Sequence, residues 1–345
     1  MLVLSKEQCE GLERKHRQEP GTRSGRKEGE EKPSTQTRKM SDNSILLSVD
    51  VFQMVVYIPT FIVGLLFNAM ALWMVFFKIR KWMESTTYVV CLITLDTVLL
   101  FTLPFKVAAY NKGIQWDLGS KFCSFLETLY FVNMYGSILI SVCICVDRYI
   151  AIRYPFTSRS LRSPKKATVV CAVVFLVVWT ASSGSVYKLH EAKGNETQCF
   201  YGFSNATWTK VSLITMLETV FVSSALIMIF CTVTIILALR KKLESRNTAI
   251  KSSRSMKVVV ANLMTYLVCF TPFHLSLLLY YFVKNNILDS SHHDPIRIFV
   301  QVSLCLANLN CCLDGICYYL VFKEFGKSAS DETAGVHLDI PENAN

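Results

Sequence analysis

The chain is predicted to be an all-α membrane protein, a seven-helix transmembrane bundle followed by a short amphipathic C-terminal helix. Three observations carry that prediction. Only 18% of the 345 residues are charged and 52% are hydrophobic, whereas charged residues make up about a quarter of an ordinary soluble domain. Seven stretches are apolar for long enough to cross a hydrocarbon core, which takes roughly 20 residues of helix. Lysine and arginine crowd alternate connections between those stretches, the bias that marks cytoplasmic loops.

The spans are expected at 50–77, 86–110, 122–150, 168–187, 211–239, 256–283 and 295–322. The second is interrupted by Asp96 and Lys106. Three connections are basic: Lys78, Arg80 and Lys81; Arg153, Arg159, Arg162, Lys165 and Lys166; Arg240, Lys241, Lys242, Arg246, Lys251, Arg254 and Lys257. With seven spans this bias puts the N-terminus outside and the C-terminus in the cytosol of a multi-pass plasma-membrane protein. The net charge of +10 then reads as topology and contact with anionic membrane lipids. A nucleic-acid partner is not expected, because the bases are spread over separate loops and not gathered on one face.

Two sequons, Asn195-Glu196-Thr197 and Asn205-Ala206-Thr207, fall in the connection assigned to the outside, which agrees with glycosylation there. Most of the 13 cysteines lie within apolar spans, where a free cysteine acts as a small hydrophobe. Cys123 opens the third span on its outer side and Cys199 sits in the sequon-bearing loop, so the two can pair in an oxidising compartment. Residues 1–49 read as a disordered outer tail, polar and charged over 1–43, with Met40 an alternative start that would make 1–39 dispensable. The receptor-sized core runs from 50 to 325, and 326–345 read as a cytoplasmic tail.

Ionisable and amide side chains inside spans are costly in lipid and usually mark working sites. Asn68, Asp96, Lys106, Ser137, Asn310 and Asp314 are of this kind. A transporter would show internal repeats and broken half-helices, and a channel a pore-lining ring; neither pattern is evident. A receptor needs an outward pocket, a bistable packing and a cytosolic docking face. No enzymatic constellation appears: His190, His292 and His293 lie in outer loops without ligand spacing, so no catalytic residue and no resident metal or cofactor is expected.

The run Cys145-Val146-Asp147-Arg148-Tyr149, closing the third span, resembles the rhodopsin-like family of G-protein-coupled receptors. The resemblance covers 50–325 and is reinforced by Asn68, Leu95-Asp96, Trp179, Cys269-Phe270-Thr271-Pro272 and Asp314-Gly315-Ile316-Cys317-Tyr318, with Cys123 and Cys199 at matching places. It implies that Asp147, Arg148, Tyr149 and Tyr318 serve coupling to heterotrimeric G proteins. It also implies a polar pocket of Asn68, Asp96, Ser137, Asn310 and Asp314 that holds water and often an allosteric sodium ion. Two buried carboxylates repel each other, and a shared cation or proton would offset this. The chain departs from the family at Ser252, where an acidic latch is usual, and at Ala225 and Gly315, where proline is usual. The usual bulge and kink are therefore not assured, although Gly315 permits bending.

Within the family, Phe270-Thr271-Pro272-Phe273-His274, Tyr130-Phe131-Val132-Asn133-Met134-Tyr135-Gly136-Ser137 and Leu161-Arg162-Ser163-Pro164-Lys165-Lys166 resemble the lipid-receptor branch that includes the lysophosphatidylinositol receptor and its kynurenate-responsive relative. The expected ligand is an anionic lysophospholipid. An ammonium at Lys106 must pair with Glu127 or bind a ligand phosphate or carboxylate. Tyr130, Phe131, Met134, Phe273 and His274 would wall an acyl channel, with Phe270 beneath as a rotamer switch. The alternatives are a small carboxylate or a nucleotide, for which Lys284 and Arg297 supply charge, and, in another class, a membrane transporter.

Overall fold

The computed structural model describes residues 35–78, 82–111, 116–193, 199, 211–243 and 249–320, and the regular structure among them is helical. We number the helices α1 (Thr35–Lys78), α2 (Glu84–Asn111), α3 (Ser120–Arg153), α4 (Pro155–Leu161), α5 (Pro164–Lys193), α6 (Val211–Leu243), α7 (Ala249–Lys284) and α8 (His293–Asn308). A 3₁₀ turn at Ser290–His292 leads into α8, and α9 continues it over 310–320. Seven spans result: Val51–Lys78, Glu84–Ala109, Ser120–Arg153, Pro164–Tyr187, Val211–Arg240, Met256–Lys284 and His293–Leu320. Each lies within a few residues of its expected position. The amphipathic helix expected past the seventh span, the 326–345 tail and both sequons lie outside the described residues.

One boundary differs. The tail expected over 1–49 gives way to helix at Thr35. No glycine or proline interrupts the chain between Thr35 and Ile58, so a helix nucleated in the apolar span propagates backward one hydrogen bond per residue.

The bundle is turned inside out relative to a soluble domain. Val55, Ile62 and Leu66 on α1 are 64%, 60% and 56% exposed, whereas Asn68, Asp96, Lys106, His274 and Asp314 are almost wholly buried. Apolar side chains face the hydrocarbon, and polar groups, which hydrocarbon cannot solvate, turn inward to find one another. Asp96 and Lys106 therefore do not break the second span; they mark its inner face. α3 is the most enclosed span and packs against α2, α5, α6 and α7. It is the axis on which the polar sites are strung.

Two glycines let α1 come close to its neighbours. A Cβ at Gly64 would stand 2.7 Å from Leu100 Cδ2 and 2.9 Å from Cys312 Sγ, and one at Gly315 would stand 3.1 Å from the Asn68 backbone nitrogen. Gly315 thus serves contact between α9 and α1. The seventh span runs on through Leu309, whose N donates to Cys305 O at 3.1 Å and whose O accepts from Leu313 N at 3.1 Å and from Cys312 N at 3.0 Å. Side chains take over local carbonyls: Cys311 Sγ donates to Asn308 O at 2.9 Å, and Asn68 Nδ2 to Cys311 O at 2.9 Å.

Gly315→Ala is expected to destabilise the purified protein by about 1–3 kcal/mol, the usual cost of overpacking a tight contact. Gly184→Ala, whose added Cβ meets nothing within 4 Å, serves as the neutral comparison. Thermal unfolding of both checks this, and equal midpoints would refute the close-approach role.

Candidate functional site

At the end of the bundle that carries the Cys123–Cys199 disulfide, α2 presents Lys106, with 1% of its surface exposed. Its Nζ donates to the Tyr57 hydroxyl at 3.2 Å and lies 4.8 Å and 4.5 Å from the centroids of the Tyr57 and Tyr130 rings. Asn308 Nδ2 donates to the same Tyr57 hydroxyl at 3.2 Å. The ammonium is thus held by a neutral oxygen and two aromatic faces, which attract a cation through the ring quadrupole. Glu127 acts on it only as a longer-range charge, so the direct Lys106–Glu127 pairing that the sequence allows is not formed. Tyr130 takes the place beside Lys106. Glu127 lies instead beside the disulfide. That trio cannot act as thiolate ligands, because both sulfurs are oxidised.

One turn further along α3 a second cluster forms between α3, α6 and α7. His274 is 1% exposed, stacks on Phe221 at 4.1 Å and meets Tyr135 edge-on at 6.1 Å. Its Nδ1 is 3.3 Å from Glu218 Oε1. Its Nε2 and the Tyr135 hydroxyl are buried without hydrogen-bond partners among the described residues. Glu218 also lines a 540 Å³ cleft between α6 and α7 with Ile214, Val222, Leu278 and Tyr281.

Deeper still lies the carboxylate pocket. Asp96 Oδ1 accepts from Asn133 Nδ2 at 3.3 Å and Ser137 Oγ at 3.4 Å. Asp314 Oδ2 accepts from Asn310 Nδ2 at 2.9 Å, and Asp96 is near enough to repel its charge. Asn68 Nδ2 donates to Gly64 O and Cys311 O, at 2.8 and 2.9 Å. Asp96 Oδ2 and Asn68 Oδ1 make no hydrogen bond among the described residues. Of the five residues expected in this pocket, Asp96 meets Ser137 and also Asn133, Asp314 meets Asn310, and Asn68 bonds the nearby Cys311 carbonyl. Tyr318 is 3% exposed and feels the charges of both Asp314 and Arg148.

At the opposite end of α3, Asp147 is only 6% exposed. Arg148 Nε stands 3.8 Å from its Oδ2. The tighter partner is Arg162, between α4 and α5: Nε donates to Oδ1 at 2.8 Å and Nη2 to Oδ2 at 2.9 Å. Burial works against the Arg162 charge, but the hydrogen bond and charge of Asp147, with Glu84 behind them, outweigh it and hold the guanidinium above its ordinary range. Tyr149 packs on Phe230 and Tyr154, at 5.8 and 5.9 Å.

The bundle thus stacks charged and amide groups inside seven spans, with a disulfide at one end of the third span and an Asp-Arg-Tyr run at the other. A family model described as 7 transmembrane receptor (rhodopsin family) matches residues 67–318. The chain belongs to the rhodopsin family of seven-transmembrane receptors. Its relatives include G-protein coupled receptor 55 of Mus musculus, 35% identical over 302 residues that cover 82% of this chain and 91% of that one. Lysophosphatidic acid receptor 4 of Homo sapiens is 32% identical over 278 residues, covering 79% and 75%. Lysophosphatidic acid receptor 6 of Gallus gallus is 32% identical over 289 residues, covering 82% and 93%. The chain is accordingly a multi-pass membrane receptor and not an enzyme.

The residues expected to line one ligand channel in this receptor separate into groups. Lys106 and Tyr130 meet; Phe273 and His274 meet beside Tyr135. Met134 and Phe270 are core, the latter against Tyr266 at 5.6 Å. Phe131 faces a groove shared with Leu139, Val178, Ser182 and Leu217, between α3, α5 and α6. Sequence reasoning missed Tyr57, Asn308, Tyr135, Glu218 and Arg162. Glu218 was within reach, being a carboxylate in an apolar span like Asp96. Tyr57 and Tyr135 carry no such signal, since tyrosine is ordinary in apolar spans. The side chain at Ser252 lies outside the described residues.

Proposed function

We propose that the receptor senses an extracellular anionic lysophospholipid, of the lysophosphatidylinositol type, and activates heterotrimeric G proteins. The observation that carries this is Lys106: an ammonium wholly inside the bundle, held by neutral partners. An anionic headgroup that displaces the Tyr57 hydroxyl would make a charge-assisted contact in a dry site, where such contacts are strongest. The names of the two lysophosphatidic acid receptors support the same ligand class. The orphaned His274 Nε2 and Tyr135 hydroxyl offer a second polar anchor, and the apolar walls around Phe273 and Leu277 suit an acyl chain.

Orientation follows the positive-inside bias: the disulfide end faces out and Arg148 faces the cytosol of a plasma-membrane receptor. Arg148 would meet the G protein, with Asp147, Tyr149 and Tyr318 governing its release. Glycans on Asn195 and Asn205 fit this placement. Endoglycosidase should increase gel mobility of the unmodified chain and leave Asn195→Gln/Asn205→Gln unchanged; no shift in the former would reverse the assignment of that loop.

Lys106→Ala should raise the half-maximal concentration of lysophosphatidylinositol by about 10- to 100-fold, the loss expected of one charged hydrogen bond, while Lys106→Arg retains part of the response. Unchanged potency in a dose–response series at matched surface density would remove this ligand placement. It would favour the second reading, a small carboxylate or nucleotide bound at Lys284 and Arg297, which stand close enough to repel each other.

The carboxylate pocket fits a sodium ion. Asp96 and Asp314 supply negative charge, Ser137, Asn310 and Asn68 supply neutral oxygens, and Asp96 Oδ2 and Asn68 Oδ1 lack donors. Such an ion offsets the carboxylate repulsion and favours the packing that keeps the pocket closed. Replacing sodium by N-methylglucamine should raise lysophosphatidylinositol affinity several-fold, and Asp96→Asn should abolish that sensitivity. Equal sensitivity in both forms would remove the ion.

A further inference from the structure

Asp147 carries one unit of negative charge and stands between two guanidiniums. Geometry ranks them. Arg162 makes two parallel hydrogen bonds of 2.8 and 2.9 Å, one to each carboxylate oxygen. Arg148 reaches only 3.8 Å. The fork-on-carboxylate arrangement is the strongest that an arginine makes, both in energy and in direction. Asp147 itself is 6% exposed, whereas Arg162 and Arg148 are 19% and 22% exposed. Arg162 also lies 3.3 Å from Glu84 Oε2 at the start of α2. It thus ties the beginning of the second span, the end of the third and the beginning of the fourth.

The connection that carries Arg162 is itself braced. Arg162 N donates to Ser158 O at 2.9 Å, closing α4, and Lys166 Nζ donates to Ser160 O at 2.9 Å from the first turn of α5. The guanidinium is therefore presented by a fixed backbone. Held this way, it makes the tighter contact with Asp147, and its charge repels Arg148.

We propose that Arg162 is a positioning residue for coupling: it competes with Arg148 for Asp147 and keeps the Arg148 guanidinium loosely held, so that the receptor retains agonist-independent activity. The proposal rests on the coupling role of Arg148 given above. Substituting Arg162 returns the whole carboxylate to Arg148 and tightens the resting state. Activity falls, although a resting-state contact has been removed.

The test is guanine-nucleotide exchange on the most responsive member of a panel of heterotrimers, in membranes holding the full chain at matched surface density, with and without saturating lysophosphatidylinositol. Arg162→Gln is expected to lower the ratio of agonist-free to agonist-saturated exchange by about two- to fivefold, the range a partly exposed ion pair supports. Arg162→Lys, which keeps the charge without the fork, is expected between the two. In an Asp147→Asn background Arg162→Gln is expected to make no further difference, because the carboxylate under competition is gone. A ratio unchanged or raised by Arg162→Gln overturns the proposal, as does an equal fall in the Asp147→Asn background. If Arg162→Gln does not reach the surface, Arg162→Lys decides: a fall supports the competition and an unchanged or raised ratio overturns it. Arg148→Ala is measured in parallel. Retained exchange there overturns the coupling role and this proposal with it, whereas lost exchange there beside an unmoved Arg162→Gln overturns only the role of Arg162.

Discussion

Hydrocarbon offers a buried charge nothing, and that single fact organises this receptor. A carboxylate or ammonium inside a span has no water to exchange with, so it must find its partner on another helix or stand unpaired at considerable cost. Lys106 finds Tyr57 on α1 and Tyr130 on α3; Asp96 finds Asn133 and Ser137 on α3; Asn68 finds the Cys311 carbonyl at the junction of α8 and α9. Each bond joins helices that share no hydrophobic driving force within lipid, where tails are as apolar as leucine. The polar groups are therefore both the glue of the bundle and the parts that can be rearranged.

Among the described residues, Asp96 Oδ2, Asn68 Oδ1, His274 Nε2 and the Tyr135 hydroxyl make no hydrogen bond. They fall in two layers, the carboxylate pocket and the cluster around His274. An ion or headgroup entering either layer changes the balance of the network, and α3 contacts the helices that would have to move. A bistable packing biased by differential contacts is the physical content of a signalling switch. The Asp147 carboxylate, shared unequally between Arg162 and Arg148, extends the same logic to the other end of the helix.

Much of this was legible in order along the chain. Six of seven spans needed only hydropathy, and the second needed the recognition that Asp96 and Lys106 are interior. The carboxylate pocket was legible because its members are polar residues where polarity is rare. The ligand region was less so. Phe131, Met134 and Tyr130 are near neighbours on α3 and look equivalent in sequence, yet they point about 100° apart per residue around the helix and face a groove, the core and Lys106 respectively. Arg162 looked like one more basic residue of a loop. Its importance comes from a bidentate contact fifteen positions back along the chain, set by how α4 folds under α3.

What the sequence determined alone is what consecutive residues can encode: the number and length of the spans, the sidedness bias of the basic loops, the family, and the list of side chains that lipid would not tolerate outside the bundle. What only the tertiary structure decided is pairing. It chose Tyr57 and Tyr130 over Glu127 for Lys106, Arg162 over Arg148 for Asp147, and Gly315 for the close approach to Asn68. The reason is physical: burial depends on a helix's own composition, whereas a hydrogen bond depends to within a fraction of an ångström on how two helices are rotated and how closely they approach. That is set by packing at small residues such as Gly64 and Gly315 and is not written in any one segment.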